Sequence, residues 1–211
     1  MTSRRADNQP DEHLRIRREV SRSYNAAAQD YRASSLPYDR FPGLREEIQR
    51  FIGGLPTGPV LDIGCGSGRD GLFASTLGRP VIFADAAINL LRQLPRDRVV
   101  CCDVLSLPFP DGLFAGVIAS GVLLHLPRAS CLAAIAEIRR ATTKGGRASF
   151  SMKVGSGAQW SRTAEVPGKR WFTYYAEHEF AVLCVRAGFA VTAAWRSHRA
   201  DWFTVETIRP S

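Results

Sequence analysis

The stretch Val60-Leu61-Asp62-Ile63-Gly64-Cys65-Gly66-Ser67-Gly68 constrains this chain most. A short apolar, strand-prone run ends in glycines that alternate with small residues. Glycine tolerates positive φ and lets a ligand lie against bare backbone. Arg69 to Leu77 suits a helix, so the order predicts strand, tight turn and helix, with helix N-terminal N–H groups facing the turn. One acid, Asp62, falls inside the strand. Gly66, Gly68 and Gly71 also fit the dinucleotide pattern G-x-G-x-x-G, which taken alone is a weak signal.

The remainder of the chain bounds what can surround this unit. Its 211 residues suit one domain with a full core. No run is long and apolar enough to span a bilayer, and Met1 to Asp11 lacks the apolar stretch of a signal peptide. The five cysteines are odd in number and form no C-x-x-C, so neither a disulfide framework nor a metal site is expected, and a cytoplasmic location is. The net charge of +8 comes almost wholly from arginine, with only Lys144, Lys153 and Lys169 as lysines. That balance keeps nucleic acid among the conceivable partners, but the arginines are spread along the chain as on a solvated surface.

Taken in order, residues 1–12 read as a disordered tail and 13–211 as a single domain. Helical patterns cover Leu14–Arg32 and Pro42–Ile52, so 13–54 forms N-terminal helices. Residues 58–153 form an α/β core, with strands ending at Asp85, Cys102, Ala119 and Lys153. A helix over Ala129–Thr142 stops at Gly145 or Gly146. Residues 154–169 read as a mobile loop. Residues 170–211 hold the helix Glu177–Ala187 and two last strands, Ala190–Ser197 and Trp202–Arg209. Asp85 ends the second strand, 17 residues past Gly68, where a carboxylate can accept from ribose hydroxyls; it could equally cap a helix over Ala86–Leu94.

The acid-then-glycines pattern from Asp62 resembles motif I of the class I S-adenosylmethionine-dependent methyltransferases. The third strand is followed by Asp103-Val104 and Leu107-Pro108-Phe109-Pro110-Asp111, which resemble that family's next loop, as does Leu123-Leu124-His125-Leu126-Pro127 after strand four. The segment Tyr24–Tyr31 resembles its lid helix. Two departures stand out: Phe114-Ala115-Gly116-Val117 lacks the usual acid, and Thr143 replaces a proline before Gly145-Gly146.

The resemblance implies a Rossmann-like α/β fold. Its mostly parallel seven-stranded sheet would carry an antiparallel C-terminal hairpin and N-terminal lid helices. It implies S-adenosyl-L-methionine held by Tyr31, Asp62, Gly64, Gly66, Arg69, Asp85, Asp103, Val104 and Ser120. Asp85 would take the ribose and Asp103 the adenine amino group. A small-molecule methyl acceptor, such as a secondary metabolite or antibiotic, would meet Tyr24, His125, Lys153 and Trp160 and be methylated on N or O. His125 would be a general base or a loop anchor. Two alternatives stay open: an RNA methyltransferase, and an NAD-dependent oxidoreductase built on Gly66, Gly68 and Gly71. Oligomeric state is not legible.

Overall fold

A computed structural model describes residues 9–164, 166–197 and 201–211. The N-terminal helices are α1 (Gln9–Ala26), α2 (Ala28–Ser35) and α3 (Leu44–Gly53). The core alternates β1 (Val60–Ile63), α4 (Arg69–Thr76), β2 (Val81–Asp85), α5 (Ile88–Leu91), β3 (Val99–Cys101), β4 (Phe114–Ser120), α6 (Arg128–Ala141) and β5 (Thr142–Lys153). Then come β6 (Ala158–Thr163), β7 (Val166–Thr173), α7 (Glu177–Arg186), β8 (Ala190–Arg196) and β9 (Trp202–Ile208).

Seven strands form one sheet in the order β3-β2-β1-β4-β5-β9-β8. Strands β1 to β5 pair in parallel, while β9 runs antiparallel between β5 and β8. This is the expected Rossmann-like sheet with its antiparallel closing pair. Every residue of β1 is buried, as a central parallel strand requires. Strand periodicity divides the core. Val60, Val81, Phe83 and Ile118 pack with Leu44, Ile48, Phe51 and Ile52 of α3 on one face. Leu61, Ile63, Val117 and Phe150 pack with α6 and α7 on the other.

Several expected boundaries change. Residues 9–12 of the expected disordered tail are the first turn of α1, and the rest of that tail lies outside the described residues. The single helix expected over Leu14–Arg32 breaks at Ala27 (φ −101°, ψ 13°). The helix expected after Asp85 shrinks to one turn, α5. Helix α6 stops at Ala141, before the expected glycines, because Thr142 is already extended and begins β5.

Most of the expected mobile loop 154–169 belongs to a second, two-stranded antiparallel sheet. Trp160 lies opposite Trp171 in that hairpin, with ring centroids 5.5 Å apart. Cross-strand aromatic pairing of this kind stabilises the ribbon. The hairpin lies against α1: Ser23 Oγ donates to the Lys169 carbonyl at 2.8 Å, and a Cβ at Gly168 would fall 2.3 Å from that Oγ. On its other side α1 is tied to α5, where Asn89 N donates to Asn25 Oδ1 at 2.8 Å. The helix therefore roofs the C-terminal ends of the parallel strands, where open α/β sheets bind ligands.

Candidate functional site

The turn after β1 is held by its own backbone. Gly64 N donates to the Ala84 carbonyl at 2.7 Å and Gly68 N to the Cys65 carbonyl at 2.8 Å. Gly64 and Gly66 both have positive φ, 64° and 55°. A Cβ on Gly64 would sit 2.4 Å from Val122, and one on Gly66 would sit 3.1 Å from the Tyr31 ring. The glycines thus let the turn, the post-β4 segment and the lid approach each other over a bare backbone surface.

Three acids surround the turn, each held differently. Asp85 Oδ2 accepts from Gly66 N at 2.9 Å and Oδ1 from Ala87 N at 2.8 Å, so the end of β2 clamps the glycine turn. Burial pushes its carboxyl up, against the pull of those N–H groups. Asp62 Oδ2 accepts from Gly71 N at 3.0 Å, joining β1 to α4. A Cβ on Gly71 would fall 2.6 Å from Phe83 and 2.7 Å from that oxygen, which explains the third glycine of the G-x-G-x-x-G match as a helix–strand contact. Burial, then the neighbouring Asp70, pushes Asp62 up to about 8. Asp103 Oδ1 accepts from Leu105 N at 3.0 Å, and its other oxygen pairs with Arg17 of α1.

One crevice brings together Tyr31, Gly64, Gly66, Asp85, Asp103, Val104 and Ser120, with Arg17 at its edge. Its inner end continues to Asp62 and Arg69 beside Tyr31 and Ser120. The nine residues expected around the cofactor thus line two adjoining pockets that share Tyr31, Gly64, Gly66 and Ser120. Arg69 is fixed there by Asp70 at 2.8 Å and by the Ser35 carbonyl at 3.1 Å, with its guanidinium over Phe41 at 4.1 Å. Acids at the ends of β2 and β3, next to glycine backbone and the side chain of Leu90, suit a nucleoside-bearing ligand.

A second chamber of about 300 Å³ opens on the far side of Tyr24 and Tyr31. Tyr24, His125 and Lys153 line it, as expected, but Trp160 does not. Trp160 is spent on the hairpin, against Trp171 and beneath the Lys169 ammonium at 5.0 Å.

His125 stands in a defined network. Its Nδ1 lies 2.7 Å from the Trp171 carbonyl, which can only accept, so Nδ1 carries the proton. Its Nε2 therefore accepts from the Tyr24 hydroxyl at 2.8 Å, and that hydroxyl accepts from Arg170 Nη1 at 2.7 Å. Burial, helped by the charges of Arg170 and Lys153 and opposed by the Trp171 carbonyl, lowers His125 to about 3. The ring is neutral at physiological pH.

Three arginines matter that sequence reasoning missed. Arg170 is 7% exposed and orders Tyr24. Arg17 pairs with Asp103. Arg32 Nη1 donates to the Ser67 carbonyl at 2.6 Å and ties α2 to the glycine turn. In a chain this rich in arginine, no spacing signal separates these three from their solvated neighbours. Among the described residues, no cluster of His, Cys, Asp and Glu is placed to hold a metal ion, and no helix is long and apolar enough to cross a membrane.

Residues 60–146 match a family model described as a methyltransferase domain. An uncharacterized protein of Methanocaldococcus jannaschii is 36% identical over 89 residues, covering 42% of this chain and 37% of its own length. A demethylmenaquinone methyltransferase of Corynebacterium urealyticum is 29% identical over 144 residues, covering 65% of this chain and 62% of its own length. The chain thus spans less than two thirds of either relative. Among solved structures, the Burkholderia thailandensis 1,6-didemethyltoxoflavin-N1-methyltransferase, with 1,6-didemethyltoxoflavin and S-adenosylhomocysteine bound, superposes with a TM-score of 0.73. It is 21% identical, and the match covers 96% of this chain and 91% of that one.

Proposed function

We propose that this chain is a class I S-adenosylmethionine-dependent methyltransferase that transfers a methyl group to a nitrogen or oxygen of a small molecule held beside Tyr24. One observation carries the reading: the crevice and the chamber share a wall made of Tyr24, Tyr31, Ser120, Gly121 and His125. Ligands filling the two spaces would meet there. The chamber lies between core, lid helices and hairpin, which supports a compact acceptor over a nucleic acid.

The residues present fit the cofactor. Bare glycine backbone at Gly64 and Gly66 forms the floor, and the Asp85 and Asp103 carboxylates stand at the ends of β2 and β3. Val104 and Leu90 offer apolar contact to a base, and Asp62, Arg69 and Ser120 line the inner end. When bound, S-adenosylmethionine supplies an electrophilic methyl carbon on a positively charged sulfur.

The protein's own contribution is alignment, exclusion of water and management of one proton. Alignment of two reactants can by itself account for several kcal/mol, up to about 7–11, of a barrier. For a hydroxyl acceptor, the Tyr24 oxygen takes the acceptor's proton while its own proton passes to His125 Nε2, where burial and the charges of Arg170 and Lys153 oppose a lasting imidazolium, so the proton stays only until it passes to solvent. Arg170 holds the phenol oxygen in place for that exchange, and the Trp171 carbonyl holds the imidazole in the required tautomer. An amine acceptor would not need the relay, because its proton leaves after the new bond forms.

The test is incubation of the purified protein with methyl-labelled S-adenosylmethionine, a panel of small hydroxyl and amine compounds, and total RNA. Label in a small-molecule product is the expected result. Label confined to RNA, or no label transfer anywhere, would overturn the reading.

A further inference from the structure

The second chamber is electrostatically one-sided. Four cations line it, Arg40, Arg69, Lys153 and Arg170, and among the described residues no aspartate or glutamate does. Arg69 is paired with Asp70, and Arg40 donates to the Ser34 carbonyl at 3.0 Å in an exposed hydrogen bond. Lys153 and Arg170 have no carboxylate partner among the described residues.

Arg170 is the more telling of the two. It is 7% exposed, yet it donates only to two uncharged oxygens, Tyr24 Oη at 2.7 Å and Thr163 Oγ1 at 2.6 Å. Its Nε is buried without any hydrogen-bond partner. A guanidinium offers five N–H donors, so most of this one's capacity is unspent. A buried charge without a counter-charge is costly, and an anionic ligand seated beside it would offset that cost.

Lys153 shares Phe172 with Arg170. The ammonium lies 5.5 Å from that ring's centroid and the guanidinium 5.1 Å. The ammonium also lies 5.8 Å from the Trp202 ring. Sharing that one ring places both charges at the same end of the chamber. Tyr24, Phe41, Phe172 and Trp202 supply flat apolar walls.

We infer that the methyl acceptor is an aromatic carboxylate, its carboxylate seated at Arg170 and Lys153 and its ring lying among Tyr24, Phe172 and Trp202. A carboxylate matches the planar donor fork of arginine in a way a compact point anion does not. It also supplies a counter-charge that no described residue gives these two cations. This inference rests on the methyltransferase reading above and names the substrate class for the same site.

The experiment is calorimetric titration of the full chain, saturated with S-adenosylhomocysteine, with benzoate, 2-naphthoate and indole-3-carboxylate, each against its neutral primary amide. At least one carboxylate is expected to bind tenfold or more tightly than its amide. Arg170→Gln and Lys153→Met should each reduce that ratio, and the double variant should bring it near one. Because Arg170→Gln could disturb folding, Lys153→Met and wild-type thermal shifts with the same compounds stand as independent readouts. Equal binding of acid and amide, preference for the amide, no binding of any carboxylate, or a ratio that survives in the double variant would overturn the inference. Binding of S-adenosylhomocysteine is measured first in the same cell. Its failure counts against the methyltransferase reading, whereas its success with no carboxylate preference counts against the substrate class alone.

Discussion

The Tyr24 hydroxyl donates to Nε2 of His125 over 2.8 Å, so the histidine's free lone pair is already engaged by the lid helix. The histidine that the sequence places after strand four lines both crevice and chamber, with its Nδ1 on the Trp171 carbonyl and its Nε2 on the tyrosine. The two rings also meet edge to face at 5.4 Å, and the Tyr31 ring meets Tyr24 at 5.0 Å, so the lid and the loop after β4 form one packed unit.

If the pair works as a relay, removing either member should slow a hydroxyl acceptor about 100-fold or more, the usual scale for a lost general base. Tyr24→Phe and His125→Asn should each do so while leaving S-adenosylhomocysteine affinity nearly unchanged. The double variant should be scarcely slower than either single one, because the two groups act in series. Single-turnover rates check this. Additive losses would mean that the residues act separately.

The network should also appear in stability against pH. His125 titrates near 6.5 in an unfolded chain but is lowered to about 3 in the fold, chiefly by burial. Its contribution is therefore full above about 6.5 and is lost as pH falls toward 3. Asp62 is raised to about 8, so its contribution is full below about 4 and is lost as pH climbs through 8. The two slopes oppose one another between pH 4 and 6.5. Denaturant melts should show the gap between wild type and His125→Asn closing as pH falls from 7 to 4. Asp62→Asn should gain on wild type as pH rises from 5 to 8. A gap that stays constant with pH in either variant would refute the corresponding assignment.

The glycines can be separated by cause. Gly78 has φ 82° and nothing within 4 Å of an added Cβ, so Gly78→Ala should cost only the left-handed strain, about 1–2 kcal/mol, and leave ligand affinity unchanged. Gly64→Ala carries the same strain plus a 2.4 Å overlap with Val122 and should lose measurably more stability. Gly66→Ala meets the Tyr31 ring at 3.1 Å and should weaken S-adenosylhomocysteine more than tenfold with a smaller loss of stability. Paired chemical melts and titrations decide the order. Equal losses in all three would remove the role of close approach.

Arg17 occupies one oxygen of Asp103. If that oxygen is what an adenine amino group needs, Arg17→Ala should speed cofactor association several-fold, since the ligand no longer competes with the side chain. Asp103→Ala should weaken binding more than tenfold. Stopped-flow fluorescence gives both. An association rate unchanged in Arg17→Ala would leave the ion pair as a purely structural tie.

Much of this architecture is legible in the amino-acid sequence, for physical reasons. Strand β1 is buried on both faces, so it is apolar without alternation apart from Asp62, and the glycines that follow it mark the turn directly. Asp85 ends β2 and Asp103 follows β3 by two residues, each marked by an acid after an apolar run. The break at Ala27 is not legible, because it falls in an alanine run with neither glycine nor proline to mark it. The β6–β7 hairpin is hidden for a related reason. Its strands mix polar and apolar residues without a clean alternation, and part of its support is the contact with α1, which is distant in sequence. That same hairpin carries Arg170, so the most informative side chain of the chamber stands in the sequence only as one member of a basic aromatic run.

The most direct measurement is calorimetric titration of the purified full chain with S-adenosylhomocysteine and, separately, with NAD. Saturable one-to-one binding of S-adenosylhomocysteine is expected, lost in a folded Gly66→Val variant and weakened at least tenfold in Asp85→Asn. Binding of NAD with none of S-adenosylhomocysteine, or binding that Gly66→Val leaves intact, would contradict the assignment of the groove.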